Sequence, residues 1–184
     1  IIDHDRVDES NLQRQVLYTT ADIGKPKVQI ARKRLRELNP GVSVDIWQEK
    51  LTKDNAEQIL KNYDVAVTAT DNFASRFIMN DICVKLGIPL VYGAICRFEG
   101  QVSVFNYKGG PTYRCLYAEP EDTVREQDDP ELGVIGVLPG IIGCMQANEA
   151  IKIITGYGST LSGKLYVLSI SDMEGHTLKI DSTS

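Results

Sequence analysis

Two short apolar runs separated by one helix's length constrain this fold more than any other feature. The runs Asp64-Val-Ala-Val-Thr-Ala69 and Pro89 to Ala94 read as strands buried on both faces. Asn72 to Leu86 reads as the helix between them, ended by Gly87. Strand, helix, strand is the crossover unit of a parallel sheet. Upstream the alternation continues. Val28 to Leu38 places Val28, Ile30 or Ala31, Leu35 and Leu38 on one helical face, and Asn39-Pro40-Gly41 stops it. Val42 to Trp47 alternates like a strand, and Asp54 to Leu60 reads as a short helix opened by an Asp cap. The class is α/β: a Rossmann-like, doubly wound, mostly parallel sheet with ligands at the carboxyl ends of its strands.

Past Gly93 the character changes. Glu99 to Tyr107 alternates as a strand, Lys108-Gly-Gly-Pro111 is a turn, and 119–131 is an acidic, proline-bracketed loop, plain surface or a lid. A helix is expected from Val137 to Thr155, with Gly136, Gly140 and Gly143 spaced for close packing against a neighbour. Lys164 to Ser169 and His176 to Ile180 close as a hairpin, an antiparallel C-terminal extension.

A length of 184 residues fits one domain over 1–184. The net charge of −5 argues against a broad nucleic-acid or membrane footprint, and no apolar stretch approaches the roughly 18 residues of a span. The residues from Ile1 to Asp5 do not resemble a signal peptide, and a cytoplasmic protein is expected. Cys83, Cys96, Cys115 and Cys144 read as reduced core thiols.

Three segments carry chemistry. Asp8-Glu-Ser-Asn-Leu-Gln-Arg-Gln15, Gly24-Lys-Pro-Lys27 and Thr70-Asp-Asn72 supply an arginine, a lysine, amides and a carboxylate in the order a triphosphate site uses them. Arginine offers a rigid fork of donors to phosphate and lysine a mobile point charge. Aspartate after a buried strand suits Mg²⁺, a hard cation that prefers oxygen. Taken singly, Lys27 reads equally as a solvated first-turn lysine, Asp71 as a helix cap, and Arg76 as a brace for the loop.

These residues resemble the ubiquitin-activating-type adenylyltransferases, the MoeB/ThiF/HesA family. The resemblance runs on through Tyr92-Gly-Ala94, Phe98-Glu-Gly-Gln101, Tyr113-Arg-Cys-Leu116, Gly133-Val-Ile-Gly136, Pro139 to Gly143 and Gln146 to Lys152. It implies adenylation of the C-terminal carboxylate of a small ubiquitin-like sulfur-carrier protein, in molybdopterin or thiamine biosynthesis, with ATP and Mg²⁺ and release of pyrophosphate. It also implies a homodimer. Asp3 would bind the ribose. Ser10, Asn11, Leu12 and Gln13 would lie along the nucleotide, Arg14 and Lys27 would neutralise the triphosphate, and Asp71, flanked by Asn72, would hold Mg²⁺. Arg14, Lys27 and Asp71 are the implied catalytic residues. The family's glycine loop has no counterpart, and the chain opens inside an apparent second strand. The expectation is a fragment lacking the first strand and that loop.

Two departures stand out. The family's first CxxC zinc pair reads Thr112-Tyr-Arg-Cys115 and the second is absent, so no zinc is expected. No cysteine precedes Gly133, which disfavours a covalent sulfur intermediate there; Cys115 has no evident activating base. A non-catalytic carrier-binding scaffold and a nicotinamide-dependent oxidoreductase are the competing readings. The second is disfavoured because Arg14, Lys27 and Asp71 suit a triphosphate with metal.

Overall fold

Ala66–Thr68 (β1) and Leu90–Cys96 (β2) pair in parallel, Ala66 opposite Leu90, and the helix Phe73–Leu86 (α3) connects them. The computed structural model describes residues 1–117 and 133–182, so the acidic loop at 119–131 lies outside the described residues. The chain divides into two compact units, Ile1–Leu51 and Thr52–Ser184.

In the second unit the sheet order is β1-β2-β3-β4-β5, with β3 at Glu99–Phe105, β4 at Lys164–Ser169 and β5 at Glu174–Lys179. The Rossmann-like α/β class and the antiparallel extension are as expected, but one named pairing is parallel and three are antiparallel. The cause is local. β2 returns through the two residues Arg97 and Phe98, a connection that only antiparallel strands permit. Arg97 sits at φ 52°, a left-handed conformation that favours glycine.

The helix Val137–Thr155 (α4) crosses β2 and β3. Leu138 and Ile142 bury with Val102, and Ile95, Met145, Leu161 and Ile170 pack around them. The crossing requires glycine beneath the helix: a Cβ on Gly100 would overlap Ile142, and one on Gly93 would overlap the Gln146 amide. Gly140 and Gly143 instead face open space in this chain. By length and composition alone α4 is apolar enough to cross a membrane, contrary to the sequence expectation. One face is spent on the sheet, where Gln146 and Glu149 are also buried. Glu149 holds Lys152 Nζ at 2.6 Å and accepts from Leu161 N at 2.8 Å, which ties down the segment leading into β4.

A second cluster is aromatic. The Tyr113 ring lies 5.2 Å from Phe77, 5.4 Å from Tyr92 and 5.7 Å from Phe105, within the range of favourable ring pairs. Asn80 Oδ1 accepts from Tyr113 N, and Arg114 forks onto Asp81 at 2.8 and 2.9 Å, so the turn at Tyr113–Cys115 is fixed on α3.

The helix Lys53–Leu60 (α2) packs against α3. Its cap is Thr52 rather than Asp54: Asn55 Oδ1 accepts from Thr52 N, a reciprocal capping box that leaves Asp54 inside the first turn. In the first unit the helix Lys27–Leu38 (α1) buries Val28 and Ala31, while Leu38, expected on the buried face, is exposed. Val42 to Trp47 is not a strand but a single parallel bridge, Ile2 to Trp47. Beyond that bridge Asp3 Oδ1 accepts from Asp5 N at 2.8 Å.

Candidate active site

In the first unit Ser10 is the hub of the Ser-Asn-Leu-Gln-Arg segment. Asp8 caps the 3₁₀ turn Glu9–Asn11, its Oδ1 accepting from Ser10 N at 2.8 Å and from Ser10 Oγ at 2.5 Å. Those two bonds, side-chain first, hold the Asp8 carboxyl below its ordinary range. Ser10 Oγ accepts from Asn11 Nδ2 at 3.1 Å, and Ser10 O accepts from Arg14 Nη1 at 3.2 Å. Leu12 N donates to Glu9 O and Arg14 N to Asn11 O, both at 3.1 Å, so the segment is wound tightly on itself. Gln13 is exposed on its rim. Arg14 is thus oriented from its own turn and remains half-exposed.

Asp3 is half-buried beside Tyr18. Burial first, then the Asp3 charge, pushes the Tyr18 phenol upward. Lys27 departs from a solvated first-turn lysine. It is 7 % exposed, and its Nζ donates to Asp5 Oδ2 at 3.0 Å. Its backbone N also donates to Asp5 O at 3.0 Å. Sequence reasoning gave Asp5 no role. The available signal was the i,i+2 pair of acids on an extended segment ahead of a helix that carries a first-turn lysine.

In the second unit Asp71 follows β1 and is exposed. The cap of α3 is Asn72, not Asp71: Asn72 Oδ1 accepts from Ser75 N at 2.9 Å, and Asn72 Nδ2 donates to Asp71 Oδ1 at 3.3 Å. Asp71 therefore keeps its carboxylate outside the helix start. An exposed carboxylate at a strand end is the oxygen donor a hard divalent cation takes, alongside phosphates, so the residues present fit Mg²⁺. Arg76, at 2 % exposure, braces the preceding backbone.

Cys115 Sγ lies 3.4 Å from Thr112 N and 3.7 Å from Thr112 Oγ1. One thiol and one neutral hydroxyl do not fit a tetrahedral thiolate site. Among the described residues only Asp3, His4 and Asp5 form a convergent group of three His, Cys, Asp or Glu ligands, and Lys27 already engages Asp5. Cys83 alone of the four thiols is fully buried, and Cys144 is exposed, so the core-thiol expectation holds for Cys83 and fails for Cys144.

A ThiF family model matches residues 1–184. The chain belongs to the ThiF family. This ThiF-family chain is 46% identical over 183 residues to a probable molybdopterin-synthase adenylyltransferase of Pyropia yezoensis, covering 99% of itself and 48% of that relative. It is 48% identical over 170 residues to the sulfur carrier protein adenylyltransferase of Thermus thermophilus, covering 90% and 63%. The chain spans about half the length of the curated relatives it matches. The crystal structure of E. coli MccB with ATP aligns at a TM-score of 0.84 over 99% of this ThiF-family chain and 56% of that one. At 18% identity that likeness establishes the fold.

Proposed function

We propose that this protein adenylates the C-terminal carboxylate of a small ubiquitin-like sulfur-carrier protein, with 1–184 acting as one adenylation domain. The observation that carries this reading is the identity of 46% and 48% to relatives named as adenylyltransferases. The carrier's ionised carboxylate attacks the α-phosphate of ATP and pyrophosphate leaves. The nucleophile is already charged, so positioning and neutralisation matter more than a base. Asp3 takes the ribose hydroxyls, and Ser10, Asn11, Leu12 and Gln13 line the nucleotide. Arg14, half-exposed, and Lys27, pre-oriented by Asp5, neutralise phosphate charge. Asp71 holds Mg²⁺, which supplies further charge neutralisation when bound. The setting is cytoplasmic.

The working unit is a homodimer in which a second copy covers the outer face of α4. Val137 at 61 % exposure and Ile154 at 70 % leave that face apolar and open beside Gly140 and Gly143.

ATP–pyrophosphate exchange by the full-length protein, with carriers ending in Gly-Gly, tests the reading. Exchange that requires the carrier and collapses in Arg14→Ala, from a protein that sediments as a dimer, is expected. A folded protein that binds carrier without exchange sinks the catalytic reading in favour of a scaffold.

A further inference from the structure

The backbone leading into Asp71 is gripped from two helices at two carbonyls, those of Thr68 and Thr70. Arg76, from α3, donates to Thr70 O through Nη2 at 3.0 Å and Nε at 3.3 Å. Its guanidinium lies 5.2 Å from the Phe73 ring centre and 5.9 Å from that of Tyr92, so aromatic faces hold the cation in place. Gln146, from α4, donates to Thr68 O at 2.7 Å, with its amide seated over Gly93. The hydroxyls of Thr68 and Thr70 lie 3.1 Å apart between the two grips. Both helical side chains are buried, whereas the Asp71 carboxylate is exposed and touches only Asn72 Nδ2 among the described hydrogen bonds. A buried arginine and a buried glutamine are costly to place unless their donors are used. Here both are used on carbonyls one and three residues before the same carboxylate.

We infer that Arg76 and Gln146 are positioning residues for Asp71, fixing the strand-end backbone so that its carboxylate is presented ready for metal–nucleotide. The inference rests on the adenylation reading. It assigns no contact with substrate to either residue, since each acts through the Thr68–Asp71 backbone. Groups that orient a metal ligand from behind characteristically change metal affinity by about 10–100-fold when removed.

The test is Mn²⁺ affinity, read by electron paramagnetic resonance, of the full-length protein with a non-hydrolysable ATP analogue. Arg76→Lys keeps the charge but loses the fork, and Gln146→Met keeps the length but loses the donor. Each is made in the wild-type and the Asp71→Asn backgrounds, with thermal melting alongside. Expected is a loss of about tenfold in the wild-type background and none beyond the Asp71→Asn loss in the other. Equal losses in both backgrounds, or no loss where Asp71→Asn itself weakens Mn²⁺, overturn the inference. If Arg76→Lys fails to fold, Gln146→Met carries the same comparison. Mn²⁺ affinity and pyrophosphate exchange both unchanged in Asp71→Asn would instead remove the role of Asp71, and the positioning role with it.

Discussion

Lys27 Nζ lies 3.0 Å from Asp5 Oδ2, with the lysine side chain 9% exposed and the aspartate 51% exposed. The pair is asymmetric: loss of the exposed partner strands a buried ammonium, whereas loss of the lysine leaves a carboxylate that water can solvate. Asp5→Ala is therefore expected to destabilise by about 1–2 kcal/mol, discounted for the exposure of Asp5. Lys27→Met is expected to melt near the parent temperature while pyrophosphate exchange falls. Urea unfolding of the two variants checks the order, and a larger stability loss in Lys27→Met would contradict it.

Gly93 has no room for a side chain beneath α4. A methyl group there overlaps the Gln146 amide, so Gly93→Ala is expected to cost about 1–3 kcal/mol through overpacking. Pairing it with Gln146→Ala should recover part of that loss, because the two changes share one contact. Strictly additive melting shifts would show that the overlap is relieved elsewhere.

The thiols separate by burial. Cys83 is fully buried, and desolvation pushes its thiol up to about 12, so almost none is thiolate at neutral pH. Cys144 is exposed. Maleimide labelling followed by mass spectrometry should modify Cys144 in the dissociated protomer, be slow there when two copies pair over α4, and reach Cys83 only on unfolding. Early modification of Cys83 in folded protein would refute the order.

Acid sensitivity is expected at the α3 anchor of the Tyr113–Cys115 turn. The hydrogen bond from Arg114, the largest influence, holds the Asp81 carboxyl below its ordinary value against the opposing effect of partial burial. A carboxyl depressed in the folded state adds stability in full above its unfolded value of about 4, and loses it as pH falls through the lower folded value. Asp81→Asn should thus be less stable than the parent at neutral pH, with the gap closing below about pH 4. Urea midpoints measured across that window give the comparison. A gap that widens toward acid would reverse the assignment.

The crossover around α3 was legible because it is written in residues that serve one purpose: Val and Ala in β1 and Gly87 as stop. The cap itself was misread, as Asp71 and Asn72 are adjacent and chemically alike; geometry gives the cap to Asn72 and frees Asp71. Asp54 was preferred to Thr52 because aspartate is the stronger capping type, yet the capping box is built on Thr52. The run Val42 to Trp47 has strand-like alternation, but pairing depends on a distant neighbour, and Ile2 supplies only one bridge. The residues proposed to carry the chemistry were read from their order along the chain and from the family resemblance. Arg76 was read as a brace for the loop, and it grips Thr70 O six residues back; Asp5 behind Lys27 and Gln146 behind Asp71 are set by contacts 22 and 78 residues apart, which spacing does not encode.

The strand β5 has every residue exposed, whereas β2 and β3 are mostly buried. Its attachment is the ladder to β4, with little apolar area to reinforce it, so this hairpin opens more readily than the sheet's interior. Mechanical firmness is graded across the molecule. The strand that leads to Asp71 lies beside the buried interior of the sheet, and thermal slack collects at the opposite edge, four strands away from Asp71.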